Sequence, residues 1–132
     1  MPAMRIARER RQRRSDNTTL ALHYQLDACR RAARLDGLIL SDDDGFCLAT
    51  SGNPQACHEV AAQLPFIGRK VRDFEGVMLG TDGGWRIRMH RFRVPGGELY
   101  LCAIGRGGAE RERELARSRG GVRRILEPRP VG

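Results

Sequence analysis

Residues Gly37 to Gly52 read GLILSDDDGFCLATSG, and the fold follows from how this stretch is taken. Leu38, Ile39 and Leu40 form a short apolar run, Asp42 to Gly45 supply turn chemistry, and Phe46, Cys47, Leu48 and Ala49 form a second apolar run. Two such runs joined by a tight polar turn predict a β-hairpin.

Outward from the hairpin, both flanks predict helices. Upstream, Asp16, Asn17 and Thr18 offer N-caps for a helix running to about Leu35. Leu22, Leu26, Cys29 and Ala33 recur at helical spacing on one side, and Asp27, Arg30, Arg31 and Arg34 fall on the other, so one face packs. Gly37 is placed to take a left-handed cap conformation at its end. Downstream, Asn53 as N-cap and Pro54 at the first helical position open a helix to Val71, with Ala56, Val60, Leu64, Ile67 and Val71 as its apolar stripe. Pro65 lies inside that stripe, which predicts a kink or two short helices.

Three further strands follow. Phe74 to Gly80 (FEGVMLG) is the third, closed by a turn at Thr81 to Gly84. In the fourth, Trp85, Ile87 and Met89 alternate with Arg86, Arg88 and His90 before the phase slips to Phe92 and Val94, which predicts a bulge near Arg91. After Pro95, Gly96 and Gly97, the fifth is the continuous run Leu99 to Ile104. Continuous runs belong to strands covered on both faces, so the first and fifth strands are expected at the middle of the sheet. Ala109 to Leu126 predicts a last helix with glutamates early and arginines late, as the helix dipole favours. Gly120 and Gly121 each cost about 1 kcal/mol relative to Ala and predict an end or break there. The fold class is thus α+β, in the order α-β-β-α-β-β-β-α, a five-stranded, mainly antiparallel sheet with helices on both faces.

The 132 residues suffice for one domain with modest appendages. The formal net charge of +8 sits at the ends. Residues 1–16 hold six Arg against Glu9 and Asp16, residues 17–108 hold eleven basic against ten acidic groups, and residues 109–132 hold seven against four. We therefore expect a basic, flexible arm at 1–16, a domain at 17–127 and a tail at 128–132. Residues 1–14 are suited to weak electrostatic contact with nucleic acid or an anionic membrane. No run approaches the roughly 20 apolar residues needed to span a bilayer, and no apolar leader core follows the early arginines, so a cytoplasmic setting with reduced thiols is expected.

Little in the chain points to chemistry. Cys29, Cys47, Cys57 and Cys102 include no CxxC pair and fall on separate elements, unlike a zinc pattern. Asp42 to Asp44 lack the alternate ligand spacing of a calcium loop and read as turn residues. Gly105 to Gly108 precede a helix but match neither dinucleotide nor P-loop spacing. His23, His58 and His90 lie on different elements with no nucleophile motif beside them. The reading is a non-enzymatic module without metal or cofactor. Arg86, Arg88 and His90, with Arg91 and Arg93 beyond, form a basic row that is either the solvated face of one strand, paired with Asp or Glu on its neighbours, or a positive band suited to an acidic partner.

The helix ending LDACRRAARLDG, the hairpin GLILSDDDGFCLATSG and the helix opening NPQACHEVAAQL together resemble the Roadblock/dynein light chain superfamily, over roughly Thr18 to Leu126. The chain looks like a bacterial member of the branch similar to gliding-motility regulators. That resemblance implies a non-enzymatic regulator or scaffold that binds a Ras-like small GTPase. It further implies a homodimer, with third strands meeting edge to edge and middle helices pairing. Carried onto this chain, the partner and dimer interface is expected at Val60, Leu64, Ile67, Phe74, Val77, Met78, Arg86, Arg88 and His90. Pro65 and the Gly120-Gly121 pair depart from the family pattern. The alternatives are a nucleic-acid or anionic-membrane adaptor acting through the arginine-rich ends, or a small-ligand sensor domain.

Overall fold

The computed structural model describes residues 16–68, 70–80 and 83–127. Residues 1–15 of the expected arm and the expected tail at 128–132 lie outside the described residues. The elements are α1 (Asp16–Ala33), β1 (Gly37–Asp42), β2 (Cys47–Gly52), α2 (Pro54–Ala61), α3 (Leu64–Gly68), β3 (Asp73–Gly80), β4 (Gly83–Val94), β5 (Gly97–Ile104) and α4 (Ala109–Leu126). The strands form one sheet in the order β2-β1-β5-β4-β3, and every neighbouring pair is antiparallel. β1 and β5 lie inside it, as their continuous apolar runs require.

Each central strand feeds two cores. Leu38 and Leu40 of β1, with Leu99, Leu101 and Ala103 of β5, pack under α1 and α4 against Leu22, Leu26, Leu115 and Val122. Ile39, Tyr100, Cys102 and Ile104 point the other way and meet Ala56, Val60 and Leu64 of α2 and α3. Side chains alternate faces along a strand, so covering both faces forces apolar residues at every position.

The opening hairpin forms as expected, with Gly37 opposite Gly52. Asp42 Oδ1 accepts from the amides of Asp44 at 3.0 Å and Phe46 at 2.9 Å, and Gly45 takes φ +86°, which a side chain would resist. The aspartate is therefore the acceptor that ties its own turn. The partner of β1 jumps from Ala49 to Cys47 between Leu40 and Ser41, so the bulge in the sheet is here and Leu48 is the extra residue.

Four local features of the sequence resolve differently or more sharply. First, α1 ends with Arg34, not Gly37, in the left-handed region at φ +54°, and the Leu35 amide bonds to Arg30 O at 2.9 Å. Gly37 instead sits inside β1, where an added Cβ would lie 3.0 Å from Cys57 Sγ. Second, the helix carrying Pro65 is two helices: Asn53 Oδ1 caps α2 through the amides of Gln55 and Ala56 at 3.0 and 3.1 Å, and α3 restarts at Leu64.

Third, β4 has no bulge near Arg91. Its pairing with β5 runs unbroken from Ile87 to Val94. The slip in pattern is a change of covering layer: Ile87 and Met89 pack on the α2 side, and Phe92 and Val94 pack on the α1/α4 side. Fourth, α4 runs through Gly120 and Gly121 without a break. A Cβ on Gly121 would lie 2.2 Å from Gln25 Oε1 of α1, so the missing side chain lets the two helices approach. That packing outweighs the helix-propensity cost.

Candidate interaction surfaces

The nine residues expected at an interface separate into three groups. Val60 and Leu64 are 0% exposed and Met78 only 4%. This corrects their assignment: the apolar stripe of α2 and α3 faces the chain's own sheet, and these three are core. Ile67 and Phe74 are partly buried against the same core.

β3 is an edge strand, paired on one side with β4 and on the other with no strand among the described residues. Phe74 and Met78 point into the α2-side core. The alternate positions Val77 and Leu79 point to the opposite face, 58% and 80% exposed. Leu79 is not among the residues expected from the sequence, although the i, i+2 relation to Val77 signals it. Gln63 Nε2, in the turn after α2, reaches the Leu79 carbonyl at 3.2 Å, and Glu59 of α2 accepts from Trp85 Nε1 at 2.6 Å. The helix is thus tied to the strand pair beside this edge.

Of the two readings of the basic row, the structure favours the one in which acidic neighbours pair with it. Arg86 is exposed. Arg88 Nε donates to Glu112 Oε1 at 3.1 Å, and the ring of His90 lies between Asp73 Oδ1 at 2.8 Å and Glu112 Oε2 at 3.3 Å. Arg111 of α4 joins the same group, its Nη2 donating to Glu75 at 2.7 Å and Glu112 at 3.1 Å. Burial tends to raise the Glu112 carboxyl, but hydrogen bonds from Arg88, Arg111 and His90 outweigh it and hold it below the ordinary range. Two of the three expected cationic positions are therefore matched by carboxylates, and the positive band is largely neutralised. Glu112 lies more than twenty residues from both in sequence, which is why a local reading does not find it.

The glycine-rich loop before α4 holds a side chain of its own. A Cβ on Gly107 would lie 2.6 Å from the Arg111 guanidinium, so that group occupies the space beside the loop. Among the described residues, no group of three or more His, Cys, Asp or Glu side chains is placed to hold a metal. Cys29, Cys57 and Cys102 are buried thiols and Cys47 is exposed. Burial, with Glu114 nearby, pushes the Cys29 thiol up to about 11, and burial raises the other three. Thiols held protonated in this way are poor nucleophiles and poor ligands. Among the described residues, no helix is long and apolar enough to cross a membrane.

No protein-family model and no curated protein matches the chain. Solved structures do. The chain is similar to MglB of Myxococcus xanthus at TM-score 0.58 and 10% identity, over 85% of this chain and 95% of that one. It is also similar to the gliding protein mglB of Thermus thermophilus at TM-score 0.53 and 17% identity, over 84% of this chain and 92% of that one. At such identities the likeness is one of backbone architecture. The element order, the five-stranded antiparallel sheet and these matches agree, and the chain has the α+β Roadblock fold of the MglB proteins.

Proposed function

We propose that this protein is a non-enzymatic Roadblock-type regulator or scaffold that acts as a homodimer in the cytoplasm and binds a Ras-like small GTPase. The observation that carries the reading is the fold match, which spans 85% of this chain and 95% of Myxococcus xanthus MglB. The open edge of β3, with Val77 and Leu79 exposed beside it, supports self-association. Unpaired edges that carry apolar side chains are costly for a monomer to leave bare.

The test is direct. Each Ras-like GTPase encoded in the same genome is purified, and its affinity for this protein and its GTP hydrolysis rate are measured with and without it. A cognate GTPase is expected to bind, and its turnover to change. If no such GTPase binds or responds, the regulatory reading is wrong while the fold stands.

A further inference from the structure

A second group of basic side chains lies at the far end of β4, and it is not neutralised as the first is. Around the segment from α3 into β3, Lys70, Val71 and Arg72 are all exposed. The amides of Lys70 and Val71 bond to Ile67 O at 3.0 and 3.1 Å, and Arg72 O accepts from the Arg91 amide at 2.8 Å. Arg91 Nη1 donates to Gly68 O at 3.0 Å. The segment is therefore clamped between α3 and the end of β4.

Glu98 of β5 is the shared counterion. It pairs with Arg91, with Arg72 at 3.1 Å, and with Arg93 at the outer limit of 4.0 Å. Burial tends to raise its carboxyl, but Arg91, Arg72 and Arg93 outweigh that and hold it below the ordinary range. Arg123 of α4 lies on the other side of the sheet, its guanidinium 5.6 Å from the Phe92 ring centre, and reaches the group only through Nε donating to Arg93 O at 3.2 Å. Three arginines thus share one carboxylate, Lys70 stands beside them with no ion pair among the described residues, and the Arg93 side chain is 81% exposed. Asp73, next along the chain, is engaged by His90. The apolar members are Phe66, 69% exposed on α3, and Val71, 40% exposed.

We infer that this surface, Phe66 and Val71 bordered by Lys70, Arg72 and Arg93, is a docking face for an acidic protein surface with an apolar centre. Charge complementarity of this kind raises association rates and selects partners. A protein fits better than a membrane for two reasons. Arg72 and Arg91 are held in set positions by Glu98 and backbone carbonyls, which suits a partner whose carboxylates are also fixed. In addition, α3 has only five residues, whereas insertion at a lipid interface takes a longer helix with a broad apolar face. The inference rests on the proposed GTPase regulation only for the partner's identity.

The test compares the wild type with the charge-reversed variant Lys70→Glu/Arg93→Glu and with Phe66→Ser. All three sites are exposed, and circular dichroism confirms folding. Binding is measured to the purified GTPases, to poly-glutamate and to vesicles containing phosphatidylserine, each at low and high salt. The expected result is a cognate GTPase bound at least about tenfold more weakly by the charge-reversed variant, with a shallower salt dependence, and a smaller loss for Phe66→Ser. GTPase binding unchanged in the charge-reversed variant overturns this surface and leaves the GTPase reading intact. Vesicle binding lost in that variant, with GTPase binding unchanged, makes the face a membrane contact instead. If no GTPase binds the wild type, the regulatory reading fails and poly-glutamate decides: weaker binding by the variant supports the surface, and equal binding overturns it.

Discussion

The double substitution Val77→Lys/Leu79→Lys tests the edge of β3 as a dimer contact. Fully burying a side chain of this size contributes about 1.5–3 kcal/mol. Val77 and Leu79 are 58% and 80% exposed, so scaling by those fractions leaves about 2–4 kcal/mol per protomer still to be gained on covering them. A symmetric dimer doubles this to about 4–8 kcal/mol, because a two-fold interface uses the same patch twice. The cost of association is common to wild type and variant, so the loss appears in the dissociation constant. At about 1.4 kcal/mol per tenfold, the low end corresponds to a weakening of about a thousandfold. Lysines at an edge also oppose pairing directly, since like charges would meet across the two-fold axis.

Sedimentation equilibrium over a wide concentration range reads the constant, and a urea titration of the monomer serves as the control. The folded monomer should change by no more than about 0.5 kcal/mol, because both side chains leave the domain surface and neither enters a core. A wild type that stays monomeric at high concentration would refute the reasoning. So would a variant that dimerises within a few-fold of the wild type.

Other consequences concern stability and reactivity. Gly120→Ala should stabilise by about 1 kcal/mol from helix propensity, since its added Cβ meets nothing nearer than Arg124 Nη1 at 4.0 Å. Gly121→Ala gains the same propensity but must displace Gln25, whose Oε1 would lie 2.2 Å away; chemical denaturation should show a smaller gain or a net loss, restored in the Gln25→Ala background. Glu98 and Glu112 are both depressed below the ordinary 4.5. Their contribution to stability is therefore complete above that value and is lost as pH falls through their lowered values. Urea midpoints should drop over that acid range, and Glu112→Gln should flatten part of the slope. A thiol-specific disulfide reagent should modify exposed Cys47 first, with Cys29, Cys57 and Cys102 reacting only on unfolding. Because partial desolvation of its sulfur raises the Cys47 thiol although the residue is accessible, its rate should climb with pH beyond neutrality.

Local pattern carries much of this molecule. The polar turn at Asp42 to Gly45, the Asn53-Pro54 helix start, the break at Pro65 and the unbroken apolar runs of β1 and β5 each depend on residues a few positions apart. For that reason the element order and the two central strands can be read directly from the chain. Long-range partners are different. Val60 and Leu64 form an apolar stripe whether a helix packs on its own sheet or on a second copy, and only their complete burial against β1 and β5 shows the former. The pattern change in β4 looks like a bulge until one helical layer is seen to end and the other to begin along the same strand.

The surfaces divide in the same way. Arginines can be counted along a strand, but whether they present free charge depends on carboxylates brought up by other elements. Glu112 comes from α4 to Arg88 and His90, and Glu98 is shared by three arginines at the opposite end. By itself the sequence determined the order of helices and strands and which strands lie inside the sheet, because periodicity, turn residues and helix caps act over a single turn or pleat. Only the tertiary structure decided which apolar faces are used up in the core, why Gly121 is needed, and where positive charge remains uncompensated. Those outcomes depend largely on contacts distant in sequence, such as His90 with Glu112, 22 positions apart, and Gln25 with Gly121, 96 apart, and no local pattern encodes them.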